Sequence, residues 1–431
     1  PARQAAPIEY VRICDAQGAG FFYIPGTGTC LRVGGLALAE PRGFDPSFGS
    51  NGGAAPGSLG QMPNINAFNA AAGTSAPRLR AVLNKAFIQF AGLTAGQAQS
   101  MFDFYAGAYD YHRLRGSNAT VALLAYTATF GDGFPATLSF EDQADRRAAT
   151  GGTIASTTAA PIIAGGISAT SFQARPGGSR VPEIVGNLRL DQPWGTVQLP
   201  GAAHQVRASL FGATALATPP TSFAFPALAT NSYGFAVQGG VRLNVDYLSP
   251  GDKLWLQAAY EKGAVSYILG NNLAYSHGSG KQNQPGSAGT LLDYGGGGNP
   301  QINSQCVFTG GGTCEQHSGW DINGAHKHYW LPILSSAIYG SYMEMHYPNN
   351  ALNGFGGAAG VSNIKDARIG THLAWTPLKG FDIGAEFMYA HLNETRPAGL
   401  APDSTLTAAG LPAFQPNNTQ YEGRLRIQPA F

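Results

Sequence analysis

The feature that most limits how this chain can fold is the spacing of its connections. Tight turns at Gly92–Gly96, Gly131–Gly133, Asp191–Gly195, Leu248–Asp252, Leu331–Pro332 and Thr376–Gly380 separate paired runs of about ten residues each, the length of a tilted membrane-spanning strand. Between these hairpins lie long polar stretches over 41–77, 106–117, 148–181, 209–232, 269–318, 348–362 and 395–418. Short and long connections therefore alternate, and a fold that obeys them has two unequal ends. The runs themselves have period two. Val241, Leu243, Val245 and Tyr247 oppose Arg242, Asn244 and Asp246; Phe381, Ile383, Ala385 and Phe387 oppose Asp382, Gly384 and Glu386. Tyr421, Gly423, Leu425 and Ile427 likewise oppose Glu422, Arg424 and Arg426. Period two means strands with one apolar and one polar face.

A soluble sandwich also alternates, but nothing in it requires every second connection to be tight. A membrane barrel does, with short turns at one rim and long loops at the other. The expected fold is all-β: a transmembrane antiparallel β-barrel with fourteen countable strands. Six hairpins give twelve; a first strand near Cys30–Glu40 and a last over Thr419–Phe431 complete the set. Residues 1–29 read as a periplasmic segment leading into one barrel domain over 30–431, and the stretch 41–77 has room for another hairpin. Closure leaves no free edge, which lipid demands because unpaired backbone groups there cost several kcal/mol each. A barrel of this size encloses water, so its polar faces line a channel. Trp194, Trp330 and Trp375 lie beside tight turns, where an interfacial girdle belongs.

Composition removes the competitors. Only 12% of residues are charged and the net charge is +1, too little basic charge for a nucleic-acid partner. With 44% hydrophobic residues the chain is not disordered, and 59 Gly with 28 Pro exclude a coiled coil. The four cysteines form two local pairs, Cys14/Cys30 and Cys306/Cys314, which read as disulfides of an oxidising compartment. A metal site using Cys306, Cys314 and His317 would have an unusual spacing. His326 and His328 share a strand face, but two ligands seldom suffice for a metal, and they read as interfacial. No catalytic constellation or nucleotide-binding loop emerges, so neither an enzyme nor a cofactor is expected.

The stretch 10–35, with Tyr10-Val11-Arg12-Ile13-Cys14 and Gly26-Thr27-Gly28-Thr29-Cys30, resembles the start of mature alphaproteobacterial porins of the rhizobial and Brucella type. So does 86–104, from Ala86-Phe87-Ile88-Gln89-Phe90 to Met101-Phe102-Asp103-Phe104. His328–Pro332, Ile338–Tyr342 and the terminal Phe431 are similar in smaller patches. The resemblance implies a sixteen-stranded general-diffusion porin of the outer membrane, a homotrimer whose signal peptide has been removed. The region 41–77 departs from the family, which has two recognisable strands there. The resemblance also implies a constriction loop after Asp103-Phe104-Tyr105, carrying Asp110, Arg113 and Arg115.

Alternation places Arg32, Lys85, Arg189, Arg242, Arg368, Arg424 and Arg426 on the lumen side, with Asp103, Glu141, Asp191, Asp246, Asp382 and Glu386. Arg368, Arg424 and Arg426 read as a basic strip facing Asp103 and Asp110. The expected function is passive diffusion of small hydrophilic solutes and ions. The alternatives are a substrate-specific channel and a structural or adhesive barrel with a plugged lumen.

Overall fold

The computed structural model describes residues 12–13, 22–23, 30–31, 42–44, 85–111, 114–131, 133–146, 149–151, 153–155, 171–215, 222–269, 304–308, 313–353, 363–395, 398 and 417–429. No helix among them is long and apolar enough to cross a membrane. Fourteen strands form a continuous antiparallel wall. They are β1 (Arg42–Phe44), β2 (Ala86–Phe90), β3 (Leu93–Gln99), β4 (Thr120–Phe130), β5 (Phe134–Glu141), β6 (Glu183–Gln192) and β7 (Gly195–Ala215). The second half comprises β8 (Ser222–Asn244), β9 (Lys253–Lys262), β10 (Ser318–Leu331), β11 (Leu334–His346), β12 (Ile364–Leu378), β13 (Phe381–Glu394) and β14 (Asn417–Pro429).

From β2 to β14 every strand pairs with its neighbour in the chain, and β14 then pairs back onto β1. The two ends of the ladder are thus β1 and β2, consecutive in the chain; residues 45–84 between them lie outside the described residues. All six expected tight turns join paired strands. The first is Ala91-Gly92, where φ is 46° and 84°, the left-handed pair that a two-residue hairpin needs.

Three sequence expectations shift. Among the described residues the first wall strand is Arg42–Phe44, inside the stretch expected as loop 41–77; of the expected strand Cys30–Glu40 only Cys30–Leu31 lies within the described residues. Cys30–Leu31 instead pairs antiparallel with Phe22–Tyr23, in a small sheet separate from the wall. The stretch 209–232 is largely strand: β7 and β8 pair from Gly195/Leu243 to Ala215/Ser222, far beyond what a bilayer needs. Small residues such as Ala213, Ala215 and Ala224 give that extension no alternation to read. A short hairpin, Thr153–Ala155 with Ser171–Pro176, adds to the edge of the extension and brings this sheet to sixteen strands.

The wall is inverted relative to a soluble sheet. Leu124, Leu138, Leu188, Leu199, Phe387 and Leu425 point outward and are exposed, while Asn187, Gln198, Gln257, Glu386 and Arg424 point inward and are buried. Water would punish such an apolar band; hydrocarbon would not. Trp194, Trp330 and Trp375 are exposed near the tight turns, as expected for a girdle.

At the opposite end, long connections fold in. Ser304–Phe308 pairs with Cys314–Gln316 and Ala149–Gly151, and a disulfide joins Cys306 to Cys314. Cys14 lies outside the described residues, and its expected pairing with Cys30 does too. A single helical turn, α1 (Ser266–Leu269), places Ile268 and Leu269 with Val265 and Val307 against the inner-wall residues Met343, Met345, Ile364 and Leu392. Apolar residues on the inner wall therefore have a partner: the loops that enter from this end.

Candidate pore and its constriction

The connection from β3 to β4, residues 100–119, turns inward instead of outward. A loop inside a lumen has no ladder partner, yet its backbone N–H and C=O groups still need bonds. The inner face of the wall supplies them through side-chain amides, which carry both donors and an acceptor. Asn187 Nδ2 donates to the Met101 carbonyl at 2.9 Å, Gln198 Nε2 to Asp103 at 3.0 Å and Gln238 Nε2 to Phe102 at 3.3 Å. Gln257 Oε1 accepts from Tyr105 N at 2.9 Å. Four adjacent strands thus grip the loop backbone between Met101 and Tyr105.

The grip continues round the wall. Ser341 Oγ on β11 accepts from Arg115 N at 3.0 Å, and Glu386 Oε1 on β13 accepts from Tyr111 N at 2.8 Å. Arg424 on β14 donates to the Tyr111 carbonyl. On the first side, Glu141 of β5 accepts from Ser100 Oγ at 2.6 Å and Met101 N at 2.9 Å. The loop meanwhile folds back on itself, since Asp103 Oδ2 accepts from Ala119 N at 2.6 Å. A flat array of ten strands would be about 43 Å across at the usual spacing. A doubled-back loop that touches β5 at one end and β14 at the other requires the sheet to curl around it.

Two wall glycines let aromatic rings reach the backbone. A Cβ on Gly240 would lie 2.3 Å from a ring carbon of Phe104, and one on Gly384 would lie 2.0 Å from the Tyr111 hydroxyl. Tyr111 also stacks on His372, with centroids 4.7 Å apart.

Two clusters of charges at the level of the loop are buried and matched. Asp366 accepts from Arg115 at 2.6 Å and from Arg368 at 2.9 Å, and all three side chains are at most 4% exposed. Arg146, just past β5, lies 3.3 Å from Asp103 and 3.9 Å from Glu141, also fully buried. Burial, reinforced by Asp110, holds the Tyr105 phenol of the loop well above its usual range, so it stays neutral. This level of the lumen is a packed polar core.

The tight-turn end is different. Arg189, Asp191, Arg242, Lys253, Lys327, Tyr329, Asp382 and Arg426 are only half-buried. Arg189 pairs with Asp191 at 2.7 Å. Arg242 donates to Thr196 Oγ1 at 2.8 Å and lies over the Trp255 ring; Arg426 lies 4.8 Å from the Tyr111 ring centroid.

The residues expected to line the lumen fall into these two levels. Glu141, Arg368, Glu386 and Arg424 hold the loop or its neighbours, whereas Arg189, Asp191, Arg242, Asp382 and Arg426 border the open end. Asp103 and Asp110 belong to the loop, and Lys85 reaches it through Gln99 at 2.7 Å. Arg32 and Arg113 lie outside the described residues. Asp246 departs from the lumen assignment: β8 ends at Asn244, and Asp246 caps the turn by accepting from Gly251 N at 2.8 Å. Arg368, Arg424 and Arg426 do not form one open strip, because Asp366 neutralises the first and the loop tip covers the second. Asn187, Gln198, Gln238, Gln257 and the lysines 253 and 327 are not among the residues that the sequence pattern singles out. Inward parity at each position was the available signal.

A family model described as "Porin subfamily" matches residues 2–53 and 60–412 of this chain. Porin Omp2b of Brucella suis biovar 1 is 28% identical over 225 residues, 46% of this chain and 57% of that protein. Porin Omp2b of Brucella abortus matches with the same identity and coverage. The match thus spans 57% of the length of these curated relatives. Among solved structures, the outer membrane channel DcaP of Acinetobacter baumannii aligns with a TM-score of 0.49 at 13% identity, over 81% of this chain and 75% of that one.

Proposed function

The chain belongs to the porin subfamily, a family of bacterial outer-membrane β-barrels, and we propose that it is a channel for passive diffusion of small hydrophilic solutes and ions. The observation that carries this reading is the inverted wall gripping an inward loop. An apolar outer band suits lipid, a polar inner face suits water, and a loop anchored across the lumen sets the width of what remains. The barrel forms one domain from about residue 30 onward, and its working state is a homotrimer, as the resemblance to rhizobial and Brucella porins suggests. Catalysis has no part in this reading.

One observation favours a second reading. The apolar packing of α1 and Val307 against Met343, Met345 and Ile364 fills lumen volume at the long-loop end, as a plugged barrel would. Planar-bilayer recording of the purified protein separates the two. Stepwise openings with conductance proportional to bulk salt support the channel; a correctly inserted protein that stays silent supports the plug.

A further inference from the structure

The half-buried cations at the tight-turn end are arranged in a way that wall solubility does not explain. Lys253 on β9 and Lys327 on β10 are direct cross-strand partners and share the inner face. Like charges placed opposite one another destabilise a sheet. Among the described residues the only lysine in an ion pair is Lys365, on Glu344, so no carboxylate there relieves the clash. Arg242 lies one strand away, paired in register with Trp255.

The carboxylates nearby are already engaged. Asp191 accepts from Arg189 and from Thr196 Oγ1 at 2.7 Å. Asp382 accepts from Thr376 Oγ1 at 2.5 Å. Asp252, next to Lys253 in the chain, is bonded to His328 Nδ1 at 2.7 Å and to Tyr329 N at 2.9 Å. What the cations meet instead is aromatic. Lys327 Nζ lies 4.9 Å from the Tyr329 centroid and 5.7 Å from that of Tyr109, and the Arg242 guanidinium lies 5.4 Å from the Trp255 ring. Trp255 Nε1 donates to the Tyr109 hydroxyl at 3.1 Å, which ties the wall platform to the loop tip.

A ring face holds a cation far more weakly than a charge-assisted bond to a carboxylate does. The site thus has two uncompensated ammonium groups beside three rings and a wetted side. We infer that it binds an aromatic carboxylate, with the carboxylate between Lys253 and Lys327 and the ring against Trp255, Tyr109 and Tyr329. This deepens the channel reading by naming a solute class, and rests on it for the claim that the ligand is carried through.

Titration calorimetry of the detergent-solubilised, folded chain tests it with benzoate, acetate and benzylammonium as probes. Benzoate is expected to bind at least tenfold more tightly than acetate, with no binding of benzylammonium. Lys253→Gln with Lys327→Gln should weaken benzoate at least tenfold, and Trp255→Leu should bring benzoate down to the level of acetate. Absence of benzoate binding, or equal binding by the double variant, overturns the site; equal binding of benzoate and acetate overturns its aromatic half. Should Trp255→Leu fail to fold, the benzoate-to-acetate ratio of the parent protein decides that half. Bilayer recording of the same preparation keeps the two claims apart. Benzoate binding by a silent protein leaves the site standing and removes the channel, while open channels indifferent to benzoate do the reverse.

Discussion

The lumen at the level of the loop and the lumen at the tight-turn end carry the same kinds of residue and use them oppositely. Arg115, Arg146 and Arg368 are almost fully buried, and each has a carboxylate within 3.3 Å. Lys253 and Lys327 are half-buried and stand in no ion pair among the described residues; Lys327 lies beside the Tyr329 ring, and Arg242 one strand away meets the Thr196 hydroxyl and the Trp255 ring. A buried charge must be matched, because an unpaired one costs several kcal/mol to desolvate. A wetted charge need not be, and its field remains available to a passing solute. Counting arginines on the inner face therefore overstates the charge open to a passing ion, because burial and pairing take up Arg115, Arg146 and Arg368.

The largest effect expected from breaking this contrast is at Asp366. Asp366→Ala leaves Arg115 and Arg368 without their shared carboxylate, a loss of about 3–5 kcal/mol for a buried pair. The loop should come away from β12, so denaturation should occur at lower urea and single-channel conductance should rise. Unchanged conductance in a folded variant would mean that the loop does not narrow the passage. Next comes the outer face. Leu425→Arg should cost about 2–4 kcal/mol if it sits near mid-bilayer, whereas Arg426→Gln beside it should cost under about 1 kcal/mol. Urea titrations in lipid vesicles measure both, and equal costs would contradict the assignment of faces. A smaller effect belongs to Gly240. Gly240→Val pushes against the Phe104 ring and should cost about 1–3 kcal/mol through overpacking. Its conductance should shift in the same direction as that of Asp366→Ala, by less.

What could be read from sequence, and what could not, follows the range of the interactions involved. The tight turns were legible because turn chemistry is local: Gly131-Asp132-Gly133 and Lys379-Gly380 mark hairpins without reference to anything distant. The faces were legible because period two is local as well, so Phe387 and Leu425 could be set outside and Glu386 and Arg424 inside. The grip on the loop was not. Asn187, Gln198, Gln238 and Gln257 look like any wetted-wall residues until the loop's open backbone groups are set against them, and those contacts span 86 to 152 residues of chain. The clash of Lys253 with Lys327 was hidden for a related reason. It depends on strand register across a connection of more than fifty residues, which no local pattern fixes. Asp246 shows the opposite error, a local pattern carried two residues past the end of its strand.

The central claim is that ion choice is made by the unmatched cations of the tight-turn end and not by the matched ones beside the loop. Reversal potential under a potassium chloride gradient, recorded for the parent chain and for Lys253→Gln with Lys327→Gln, tests it most directly. The account predicts anion preference in the parent, a shift towards cations in the double variant, and a shift that shrinks as salt shortens the Debye length from about 10 Å at 0.1 M to about 3 Å at 1 M. A folded double variant whose reversal potential equals the parent's at low salt would contradict it.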